Sequence, residues 1–159
     1  MATIAYSSIE HSWAGTLVTP LLNGTPVLVD TSGPDSPPSA IQLRAVESAE
    51  SLPAQFSDTI DKLLRDWVVS EWEPELQEDL EPEDFEWQVC SVEIPNLKLI
   101  AVPYFLLHLQ CELEAEHGIG IACRDGQAFA VCHPETYSNL NADDDASLNA
   151  PFSGTRGAG

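Results

Sequence analysis

Residues able to do chemistry are gathered most densely at Glu112-Leu113-Glu114-Ala115-Glu116-His117-Gly118. An imidazole beside carboxylates has the components of a general base or of a divalent-cation site, and a hydrolase or metal-dependent enzyme would use Glu116 with His117. The spacing argues against both. In an extended strand Glu112, Glu114 and Glu116 share one face and His117 points to the other, so the cluster reads as a solvated strand end. His11, His108 and His133 are scattered; His133 follows Cys132 directly, and in a strand the two side chains face opposite ways. Cys90, Cys111, Cys123 and Cys132 form no Cys-x-x-Cys pair. Neither zinc nor a dense disulfide framework is therefore expected, and the thiols are read as buried and free. There is no Gly-x-Ser-x-Gly elbow, no phosphate-binding Gly-Lys loop and no His-Glu-x-x-His helix. Gly118 and Gly120 stand too close together for a dinucleotide fingerprint and are read as relieving crowding within a strand. The motifs ask for no cofactor, no metal and no catalytic residue, and the chain is not read as an enzyme.

Charge is the stronger signal. The 159 residues hold 26 acidic and 6 basic side chains, a formal charge of −20. Binding nucleic acid directly, or an anionic membrane, would bring like charges together, so a basic protein is the expected partner. The acids concentrate between Glu71 and Glu86, with nine carboxylates in sixteen residues and no base among them. Within that run Glu71, Trp72, Glu73, Glu75, Glu78, Asp79, Glu81, Glu83, Asp84 and Phe85 are the expected partner-binding residues, Trp72 and Phe85 serving as aromatic anchors in an acidic field. The alternative is a solvated acidic loop that lies over the domain surface. No apolar run reaches the roughly 20 residues that span a bilayer, and the first residues lack the basic start and apolar stretch of a signal peptide, so a cytoplasmic protein is expected. Oligomeric state stays open.

The elements that must position these groups follow from periodicity. An aromatic-containing composition of ordinary apolar content and this length suits one domain over residues 1–133, followed by a Ser-, Asn-, Asp- and Gly-rich tail over 134–159 that is expected to be mobile. His11–Val18 and Thr25–Asp30 read as a hairpin around Asn23-Gly24, residues 31–39 as an exposed Pro-rich loop, and Ile41–Val46 as a third strand with Ile41, Leu43 and Ala45 on one face. Leu52–Glu71 is the one strong helix. Phe56, Ile60, Leu63, Leu64 and Trp67 form its stripe, Ser51 is its expected N-cap, and Asp58 with Lys62 and Asp61 with Arg65 are expected as outer ion pairs. Strands are expected around Trp87–Ile94, at Leu97–Val102 and at Phe105–Leu113. A hairpin turning at Asp125-Gly126 follows, with Ile119 opposite Cys132 and Cys123 opposite Ala128. The fold class is α+β, an antiparallel sheet with one main amphipathic helix packed on one face.

The run Cys111–Ile121, closed by Asp125-Gly126, resembles the C-terminal signature of a family of uncharacterised bacterial domains. There an acidic residue, Glu-His-Gly, an alternating apolar strand and a Gly turn follow one another, and Glu114, Glu116, His117 and Gly118 are the matching positions here. Trp13-x-Gly15, the Ile41-Gln42 strand and the helix ending near Trp67 also look like that family's N-terminal half. Leu113 stands where the family usually has an aromatic residue, and Ala115 where it has Pro. Such domains often accompany polymorphic toxins, so the resemblance implies an immunity protein that neutralises a cognate toxin by direct binding. Two other functions remain beside it: a DNA-mimic inhibitor of a DNA-handling or defence protein, and the Glu116/His117 hydrolase.

Overall fold

In the computed structural model, residues 2–96 and 102–134 are described. Seven strands make one sheet in sequence order: β1 (Ala5–Ser7), β2 (Ser12–Leu17), β3 (Thr25–Val29), β4 (Trp87–Ile94), β5 (Tyr104–Cys111), β6 (Ile119–Arg124) and β7 (Gln127–Cys132). All neighbours run antiparallel except β3 and β4, which are parallel, with Val27 beside Val92 and Val29 beside Ile94. Parallel neighbours require a crossover, and it carries α1 (Ala40–Glu50), α2 (Phe56–Glu71) and the short α3 (Pro74–Glu78). The fold is mixed α+β. Expected strand Leu97–Val102 lies outside the described residues but for Val102, which is in no strand, and the expected tail lies outside them but for Pro134.

The expected strand Ile41–Val46 is instead the first half of α1. Its buried residues are Gln42, Ala45, Val46 and Ala49, a spacing of three, four and seven that only a helix turns to one side, whereas Leu43 is exposed. The start is set by a capping box: the Ser39 hydroxyl accepts from the Gln42 N–H at 3.2 Å, and the Gln42 side-chain carbonyl accepts from the Ser39 N–H at 2.9 Å. Gln42 Nε2 then donates to the carbonyls of Asp30 at 2.6 Å and Pro95 at 3.1 Å, tying α1 to the ends of β3 and β4.

Helix α2 begins at Phe56, and Ser51 is the C-cap of α1 rather than the N-cap of α2. Its predicted stripe is present: Phe56, Ile60, Leu64, Trp67 and Val68 are buried and Leu63 packs beside them. The expected ion pairs are not those formed. Lys62 bonds Asp66 at 2.7 Å, Asp61 accepts the Trp87 indole N–H at 2.8 Å, and the Arg65 guanidinium lies 4.7 Å over the Phe85 ring. The core that α1 and α2 share with the sheet takes Val27 and Val29 of β3, Val92 and Ile94 of β4, and Phe105, Leu107 and Leu109 of β5. A smaller cluster of Tyr104, Leu106, Ala122, Ala130 and Cys132 belongs to the opposite sheet face.

The β6–β7 turn has φ of +52° at Asp125 and +78° at Gly126, as a two-residue turn of the expected type requires. Cys123 faces Ala128 as expected, but Cys132 pairs with Gly120 rather than Ile119, because the register shifts by one residue at Phe129. One extra residue reverses facing. Cys123 therefore sits in the main core and Cys132 in the cluster across the sheet, not on one face together.

Candidate functional site

The acidic run from Glu71 to Glu86 folds into two short turns of helix. Helix α3 starts at Pro74, and a 3-10 turn spans Pro82–Phe85, each with proline where its missing N–H is harmless. The Asp84 carboxylate accepts the Glu81 N–H at 2.8 Å, and Gln77 Nε2 donates to the Trp72 carbonyl at 2.8 Å. Every carboxylate of the run except half-buried Asp84 faces solvent. Trp72 and Phe85 do not stand out as anchors. Both are half-buried against the main core: Trp72 meets the Trp67 ring edge-to-face at 6.0 Å, and Phe85 lies under Arg65. Their apolar rings have more to gain beneath the ribbon than above it, and so they hold it down with its acids outward.

The ribbon runs into a cleft of about 350 Å³, lined by Glu83, Glu86, Trp87, Gln88, Gln110 and Glu112, with Cys111 at its base. Pairing of β4 with β5 sets Trp87 beside Cys111 and Gln88 beside Gln110, which brings the start of one strand to the end of the other. Glu83, Glu86 and Glu112 bring three carboxyl groups to its lining, while the Trp87 indole N–H is turned to Asp61. Carboxylates grouped in this way suit a guanidinium or ammonium group. Burial, with the carboxylates of Glu112 and Asp84 adding to it, pushes the Cys111 thiol up, so it stays neutral. Trp87, Gln88, Gln110, Cys111 and Glu112 line the cleft but are not among the residues that sequence reasoning assigned to partner binding. Trp87 and Gln88 simply continue the ribbon, and only the strand register brings Gln110, Cys111 and Glu112 beside it.

The Glu-rich cluster is differently built from the expected strand end. β5 stops at Cys111, and Glu112–Glu114 form a 3-10 turn, so Glu112, Glu114 and Glu116 do not share a strand face. His117 Nδ1 lies 3.5 Å from Glu114 Oε1, its ring is 5.2 Å from that of His133, and Glu116 is exposed. The His117 carbonyl is 3.2 Å from His108 Nε2, while His108 Nδ1 is 3.9 Å from Glu93. Burial lifts the Glu93 carboxyl above its usual range, with His108 pulling the other way. Gly118 is not a strand residue. It has a φ of +75°, and a Cβ there would stand 2.5 Å from His108 Nε2 and 2.7 Å from the Leu109 carbonyl. Gly120, in β6, does relieve crowding: a Cβ would meet Leu106 and Cys132 at 2.8 and 2.9 Å. Burial holds the Cys132 thiol up at about 12, with Glu93 adding to it, and pushes Cys123 well above its usual value. Cys90 is exposed and the other three thiols are buried, all four free. Among the described residues no group of three or more His, Cys, Asp or Glu side chains converges to hold a metal ion, and no helix is long and apolar enough to cross a membrane.

Set against known proteins, the chain matches no family model, no curated sequence and no solved structure.

Proposed function

We propose that this protein acts by binding, as an immunity-type inhibitor that neutralises a basic protein, its cognate bacterial toxin, and that it is not an enzyme. The observation that carries the reading is the continuity of exposed carboxylates from Glu71 to Glu86 with the Glu83, Glu86 and Glu112 cleft, on a body of charge −20. A surface of that sign steers a cationic partner and matches its potential, and the cleft offers a seat for one basic side chain at the centre of the contact. The resemblance of the Glu116-His117-Gly118 signature to uncharacterised bacterial domains that often accompany polymorphic toxins supports the same class of partner. Trp72 and Phe85 contribute by holding the ribbon in place, and contact falls to Glu71, Glu73, Glu75, Glu78, Asp79, Glu81, Glu83 and Asp84, together with Glu86, Trp87 and Glu112.

The test begins with capture of the partner from the native cells and a measurement of whether an equimolar amount of this protein abolishes its toxicity. The Glu83→Gln/Glu86→Gln/Glu112→Gln variant is expected to lower affinity by roughly 10- to 100-fold and to flatten its dependence on salt. Unchanged affinity removes this surface. Competition by duplex DNA for the captured protein would mark a DNA mimic instead. Loss of neutralisation in a folded Glu116→Gln/His117→Ala variant would point to chemistry at that pair.

A further inference from the structure

The reversal from β2 to β3 takes residues 18–24, and Asn23-Gly24, the one Asn-Gly pair in the sequence, stands at its end rather than at its middle. Its neighbours on both sides are fixed. Leu22 is fully buried and donates its N–H to the Thr19 hydroxyl at 2.9 Å, and Thr25 is buried in β3 opposite Leu17. Asn23 and Gly24 themselves are exposed, and among the described residues no hydrogen bond engages the Asn23 side chain or the Gly24 N–H. Gly24 has a φ of +74°, and no atom lies within 4 Å of the place a Cβ would occupy. A side-chain amide and the backbone nitrogen that follows it are the two reactants of cyclic imide formation. Here both are uncommitted, and their place in one chain makes the step intramolecular. Asp125-Gly126 is held differently: both φ are positive in a two-residue turn, and the Asp125 N–H donates to the Pro103 carbonyl at 2.9 Å. A carboxylate is also a poorer electrophile than an amide.

We propose that Asn23-Gly24 is a site of spontaneous covalent modification, at which the folded protein deamidates. Base takes the proton from the Gly24 nitrogen, which attacks Asn23 Cγ. The N–Cγ bond forms, the Cγ–Nδ2 bond breaks, and ammonia leaves with a proton drawn from water. Water then opens the imide. Attack at the side-chain carbonyl restores the main chain with an aspartate at position 23, and attack at the main-chain carbonyl leaves an isoaspartyl link. No oxidant, metal or partner enters. The first product adds one negative charge to a body at −20. The second routes the main chain through the side chain and lengthens it by a methylene, between a residue locked in the core and one locked in β3, so the strain falls on the β2–β3 reversal.

The test is incubation of the folded protein in mildly alkaline buffer beside the same chain unfolded in guanidinium chloride, with peptide mapping by mass to locate each amide converted to acid. Conversion is expected at Asn23 ahead of Asn96, Asn139, Asn141 and Asn149, at a folded-state rate within roughly tenfold of the unfolded one, because nothing in the fold has to open first. Asn23→Ser is expected to stop it. Gly24→Ala is expected to slow it by roughly tenfold or more, since a side chain then crowds the attacking nitrogen. Asn23→Ser reads the site even where the left-handed φ makes Gly24→Ala unfold. A folded-state rate below that margin, or earlier conversion at another asparagine, overturns the proposal. The isoaspartyl form, separated by chromatography, is expected to unfold at lower denaturant than Asn23→Asp, which has the charge without the added methylene. Equal midpoints overturn the strain at the reversal.

Discussion

At Gly118 the backbone takes a left-handed φ of +75° with the His108 ring and the Leu109 carbonyl closed over the place a Cβ would fill. Gly118→Ala is therefore expected to cost at least about 2 kcal/mol in urea unfolding, from left-handed strain alone before any displacement of the ring. Adding His108→Ala is expected to return only part of that loss, since the Leu109 carbonyl remains; full recovery would show that the backbone tolerates the side chain. Glu93, on the same sheet face as His108, makes a pH prediction. Its folded carboxyl holds its proton to higher pH than the unfolded chain does, because burial penalises the charge. In that window the folded state binds more protons, so stability from this group is greatest below the usual carboxylate range and falls as pH rises through the lifted value. Glu93→Gln is expected to flatten that fall and to raise the melting temperature near neutral pH by about 1–2 °C. Equal pH profiles for the two proteins would show that the burial carries no cost. Neither effect was visible from the order of residues, because His108 and Gly118 are neighbours only through the β5–β6 pairing.

Helix α1 shows where sequence pattern is ambiguous. Ile41, Leu43 and Ala45 alternate as a strand would, yet Gln42, Ala45, Val46 and Ala49 repeat as a helix does, and six residues satisfy either period. Ser39 with Gln42 three residues on, directly after two prolines, was the local cue that decides between them. The α2 stripe and the Asp125-Gly126 turn were readable because each rests on local chemistry alone. The β6–β7 register was not, since a bulge answers to packing on both faces rather than to the turn. The acid-to-base pairs expected on α2 failed for a related reason: Arg65 and Asp61 gain more from Phe85 and Trp87, which arrive from later in the chain, than from each other. Gln42 gives this scale its prediction. Gln42→Ala removes the cap partner and leaves the Asp30 and Pro95 carbonyls without their donor, and is expected to cost about 2–3 kcal/mol. A loss below about 0.5 kcal/mol would mean water replaces it at those carbonyls.

For the whole molecule, charge acts against the fold as well as toward a partner. A body at −20 repels itself, so raising sodium chloride from low ionic strength to about 0.5 M is expected to lift the melting temperature by several degrees. A melting temperature indifferent to salt would show that the acids are spaced widely enough not to sense one another. The parallel contact between β3 and β4 has a different bearing. Strands β6 and β7 meet through a two-residue turn, but Val27 waits for Val92. Closing so distant a contact is the slow event in assembly, since its entropy is lost before packing rewards it. On a ribosome, β1, β2 and β3 can pair with one another as they emerge, but the far edge of β3 stays open to wrong pairing until synthesis has passed Ile94, so a chaperone has most to protect in that interval.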